Sequence, residues 1–82
     1  MFYVTMTDKF MSGWGMSKGK INKMVVSCAT LQQAEQIAKA ARQRSEMRRV
    51  NIRTTEPRYG KHILTSWKSW ADLGAIWKGD MA

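Results

Sequence analysis

From Thr30 to about Glu46, apolar residues recur every three or four positions; on both sides of that stretch they recur every second position. A chain of 82 residues that switches period in this way is neither all helix nor all strand. It has to lay one helix on a sheet. Thr30 stands where an N-cap belongs, and Gln33 completes the S/T-x-x-E/Q capping box. Leu31, Ala34, Ile37, Ala38 and Ala41 then share one stripe, with Gln32, Gln36, Lys39, Arg42 and Gln43 opposite.

Residues 2–7 alternate, with Phe2, Val4 and Met6 on one side and Tyr3, Thr5 and Thr7 on the other, which predicts a strand. Residues 8–20 carry Gly13, Gly15 and Gly19 and read as a long loop. Residues 21–28 read as a second strand, Met24, Val26 and Cys28 inward. Period two returns over 49–54, Pro57 and Gly60 mark a turn at 56–61, and 62–67 read as a fourth strand. In that strand the inward set is ambiguous between Leu64 and the pair Ile63 and Trp67. Ser69 with Asp72 makes a second capping box, after which Trp70, Leu73, Ile76 and Trp77 share a helical face and Gly79 stands at C′. Core packing is the expectation for Trp67, Trp70 and Trp77.

The expected fold is therefore α+β: two layers, a four-stranded mostly antiparallel sheet with one long and one short helix, in the order β-β-α-β-β-α and in a single domain. With both helices on one side, the other sheet face is expected to be open. It would carry Tyr3, Thr5, Lys23, Val25, Arg49, Asn51 and Arg53.

Several chemistries are excluded at once. Cys28 is the only cysteine and His62 the only histidine, so there is no internal disulfide and no thiolate zinc cluster, and a site with two or more imidazoles is hard to build in one subunit. Cys28 itself is expected to be a buried small hydrophobe. Gly13, Gly15 and Gly19 do not fit G-x-G-x-x-G, and Gly15 to Lys20 does not fit the G-x-x-x-x-G-K-[ST] phosphate loop. The acids are scattered, with no spacing that suggests an acid/base or metal pair. The expectation is a non-enzymatic protein with no cofactor. Apolar runs such as Met24-Val25-Val26 fall far short of the roughly 20 residues that span a bilayer. No signal-peptide pattern opens the chain, so cytoplasm is the expected compartment.

What remains is charge. Fourteen Lys plus Arg against six Asp plus Glu give +8. Lys18, Lys20 and Lys23 contribute +3 within six residues, and Lys39–Lys61 adds +6, six of its eight basic residues being Arg. Arg offers a planar fork suited to phosphate and to stacking on bases. A polyanion is the natural partner, with Lys18, Lys20, Lys23, Arg42, Arg48, Arg49 and Arg53 on phosphates and Trp14 and Tyr3 as stacking candidates. Trp14, between two glycines, either folds back on the core or serves as that anchor. The alternative reading is a protein-binding modulator or inhibitor of a host or defence complex, docking the basic face on an acidic surface. Homodimerisation through the open face or an edge strand is compatible with either.

The opening from Phe2 to Gly15, YVTMTDKFMSGWG after the phenylalanine, together with Gly19–Lys23, Arg44–Met47 and Val50–Ile52, resembles a group of small bacteriophage and mobile-element proteins. The similar stretches cover the first two thirds of the chain. The resemblance implies a bacterial cytoplasm and an accessory role during infection or element maintenance, and it assigns no functional residue.

Overall fold

The structure, a computed structural model, describes residues 1–8, 21–45, 47–61 and 63–79. Trp14, Lys18, Lys20, Glu46 and His62 lie outside the described residues. The elements are β1 (Phe2–Asp8), β2 (Ile21–Cys28), α1 (Leu31–Arg42), β3 (Met47–Arg53), β4 (Ile63–Ser69), a 3-10 turn (Trp70–Asp72) and α2 (Ala75–Lys78). The fold is α+β in the expected β-β-α-β-β-α order. The sheet order is β3-β1-β2-β4. β1 pairs antiparallel with β2 and β3, whereas β4 joins β2 in parallel.

α1 begins as its sequence requires. The Thr30 hydroxyl accepts the Gln33 N–H at 3.1 Å, and Gln33 Oε1 accepts the Ala29 N–H at 2.9 Å. The reciprocal bond therefore reaches one residue before the cap. The helix stops at Arg42, short of Glu46, because the chain turns over at Gln43–Ser45 to enter β3. Its buried residues are Ala34, Ile37, Ala38, Ala40 and Ala41. Four methyl groups let the helix lie close to the sheet, and Ile37 is the one long side chain it contributes. Val4, Met6, Val26, Cys28 and Met47 meet it from the strands.

The second helix differs from expectation. Asp72 Oδ2 accepts the Ser69 N–H and the Ser69 hydroxyl, both at 2.9 Å, but the turn they start lasts three residues. Leu73 and Gly74 are extended, so the helix restarts at Ala75 in a new phase. Ile76 is consequently 77 % exposed and leaves the apolar face, while Trp70, Leu73 and Trp77 still pack on the core. Gln36 donates to the Trp77 carbonyl at 3.3 Å, and the Arg44 guanidinium lies 5.1 Å from the Trp77 ring. Ala40 falls between Gln36 and Arg44 on the same helical row, which explains its burial. Gly79, at φ 57°, closes α2 where a Cβ would meet the Gln36 amide at 2.8 Å.

The strand order has a consequence for the other face. β3 and β4 run the same way on opposite edges. Residues 54–62 must travel back along the sheet and across it. Three strand spacings by seven residues give a diagonal of roughly 27 Å; nine residues reach at most about 32 Å. Nine residues are enough for the crossing, which ends in a turn where the Ile63 N–H donates to the Gly60 carbonyl at 3.1 Å. Tyr59 stands within 6.0 Å of Lys23 Nζ, so the crossing is on the side away from α1. Pro57 is fully buried, and Val25 and Thr5 are only 0 % and 6 % exposed. The face expected to be open is thus covered through its middle.

Candidate anion-binding cleft

The covered face is built of cross-strand rows. Arg53, Tyr3, Ser27 and Ser69 form one; Asn51, Thr5, Val25 and Trp67 the next; Arg48, Thr7, Lys23 and Thr65 a third. Between the second and third rows, β3 carries one residue more than β1. The extra residue makes a β-bulge. Arg49 takes it up at φ 54°, a left-handed conformation that is an outlier for a bulky side chain. Asn51 Nδ2 donates to the Arg49 carbonyl at 3.2 Å and holds the bulge. Val50 still packs on the core side.

Beside the bulge, Thr5, Lys23, Arg49, Asn51, Ile52, Arg53 and Tyr59 line a cleft of about 490 Å³. Three of these residues are cationic and, among the described residues, no carboxylate joins them. Lys23 donates to the Thr7 hydroxyl. Its pKa is lowered, first by burial and then by the Arg49 charge. A negative group in the cleft would offset the second cause and raise it again. A second hollow, about 430 Å³ between Gln32, Glu35, Gln36 and Lys39 on α1, mixes one acid with one base and has no aromatic wall. Its charges offset one another, so it lacks the electrostatic bias of the first.

Of the residues singled out from the sequence, Lys23, Arg49 and Arg53 meet in the cleft. Arg48 stands opposite Thr7 and Tyr3 opposite Arg53, on the same face. Arg42 does not join them: it lies in the last turn of α1, in the other layer. Trp14, Lys18 and Lys20 are outside the described residues. The sequence reading missed Tyr59, which sits in a segment taken only as a turn. It also placed Trp67 in the core, whereas Trp67 is 50 % exposed on this face. It does not line the cleft.

Cys28 is buried, as its place on the inward side of β2 suggested, and burial raises its thiol pKa. Among the described residues no three His, Cys, Asp or Glu gather to hold a metal, and no helix is long and apolar enough to cross a membrane. No protein-family model, curated protein or solved structure matches the chain.

Proposed function

We propose that this chain is a small phage-type accessory protein that binds nucleic acid without chemical conversion. The observation that carries this reading is the convergence of Lys23, Arg49 and Arg53 on one carboxylate-free cleft, with Arg48 beside it. Phosphates supply the complementary charge, and contacts of this kind give affinity more than sequence discrimination. Three or four cations on a single strand predict a slope of about −2 to −3 in log affinity against log salt. Titration of labelled DNA and RNA oligonucleotides between 50 and 200 mM salt measures it. Absence of binding at 50 mM salt would overturn the reading, and a docking site for an acidic protein surface would take its place.

Arg49 makes a sharper case, because it holds its charge in the cleft at a cost to the backbone. A left-handed non-glycine residue costs about 1–2 kcal/mol, and glycine returns about 0.5–1 kcal/mol of that as chain entropy. Arg49→Gly is therefore expected to be up to about 1 kcal/mol more stable, a rise of about 4–8 °C per kcal/mol in Tm. The same variant should lose about fivefold in affinity at 0.1 M salt, one phosphate contact's share. Arg49→Ala keeps the backbone conformation and should lose affinity without gaining Tm. If Arg49→Gly melts lower than the parent chain, the bulge is not strained.

A further inference from the structure

Resting on the nucleic-acid reading, we infer that the cleft takes one unstacked nucleotide of a single strand, its phosphate between Lys23 and Arg49 and its base against Tyr59. The cations lie in a recess flanked by the crossing connection, not on a protruding helix or ribbon. A duplex is read by elements that enter its grooves, whereas these cations line an open cleft of about 490 Å³ on a sheet face. The cleft is open to solvent, so its occupant is cradled and not enclosed. It suits one nucleotide unit.

The aromatic wall favours the same occupant. Tyr59 is half-buried, and Lys23 Nζ sits over its ring at 6.0 Å from the centroid, so a base stacked on that face takes the place of the ammonium, which turns to the phosphate. Only an unpaired, unstacked base offers a face to the ring. Asn51 adds a polar edge. Its amide N–H already bonds the Arg49 carbonyl, which leaves Oδ1 as an acceptor directed by a fixed side chain. Arg53, on the cleft wall, and Arg48, beside the cleft, stand at either end of β3 and extend the positive track for phosphates on both sides of the bound unit. A footprint of about four nucleotides, at the short end for single-strand binders, follows from so small a surface.

The test uses the full chain at 100 mM salt with three probes: a labelled 12-nucleotide oligo-dT, a 12-base-pair duplex, and thymidine monophosphate as competitor. Oligo-dT is expected to bind at least tenfold tighter than the duplex and well above the mononucleotide. Tyr59→Phe should keep that affinity, and Tyr59→Leu, which retains apolar bulk without a π face, should lose about 5- to 150-fold. Trp67→Ala, outside the cleft, should change nothing, and circular dichroism confirms that each variant is folded. Should Tyr59→Leu not fold, the strand preference of the parent chain decides alone. Duplex binding as tight as the single strand overturns the inference and leaves the broader reading standing. Mononucleotide binding as tight as the 12-mer also overturns it, in favour of a free nucleotide. Failure of all three probes sinks both.

Discussion

A chain carrying Lys23→Gln, Arg49→Gly and Arg53→Gln is expected to bind single-stranded nucleic acid about 100-fold more weakly than the parent at 0.1 M salt. Each phosphate neutralised on a single strand contributes about 0.7 to the salt slope, or about fivefold in affinity at that concentration. Three such contacts multiply to on the order of 100-fold, and the slope should flatten by about 2. Net charge alone would give a different pattern. Lys39→Gln, Arg42→Gln and Lys68→Gln remove the same three charges from exposed positions that do not line the cleft. With a Debye length of about 10 Å at 0.1 M salt, they should cost no more than about twofold. Anisotropy titrations of both triple variants at three salt concentrations make the comparison. Equal losses in the two would mean that binding follows bulk charge and that the cleft has no special part in it.

The largest expected effect on stability comes from Ile37→Ala. Ile37 is fully buried, and the other buried residues of α1 are all alanine. The substitution would leave the helix with methyl groups alone against Val4, Met6 and Val26. Truncations of this kind cost about 2–5 kcal/mol, whereas a domain of this length has roughly 4–12 kcal/mol to lose. Thermal melts followed by circular dichroism should show Tm falling by more than 10 °C, at about 4–8 °C per kcal/mol. Leu31→Ala on the same helix is the comparison. Leu31 is 46 % exposed, so its truncation leaves no enclosed cavity and should cost under about 1 kcal/mol. Similar losses at both positions would mean that Ile37 does not carry the helix–sheet contact.

Much of the architecture was legible because it rests on local chemistry. The period of two in β1, the Thr30–Gln33 cap and the Ala-rich stripe are properties of short windows, and each fixed an element. Strand order is not local. Nothing between Thr54 and Lys61 tells which edge β4 will join, so the covering of Thr5 and Val25 could not be read, nor the role of Tyr59. The bulge was hidden for another reason. Glycine is the usual signature of a left-handed bulge residue, and here Arg49 occupies that position among other arginines. Charge was only half legible. The run from Arg42 to Arg53 looks continuous in sequence, but it passes from helix to strand and divides between two layers. In the stretch ILTSWKS two adjacent polar residues blur the alternation. Only the register with β2 assigns Trp67 to its face.

The parallel pairing of β2 with β4 also ties the cleft to the far edge of the sheet. Among the strands of the sheet, β4 is hydrogen-bonded only to β2, and none of its residues is fully buried. Edge elements of that kind detach at low free energy in the native state. When β4 peels away, the segment anchored at its start is released, and the wall that Tyr59 provides loses its support. β4 therefore acts as a mooring for a recess to which it contributes no side chain.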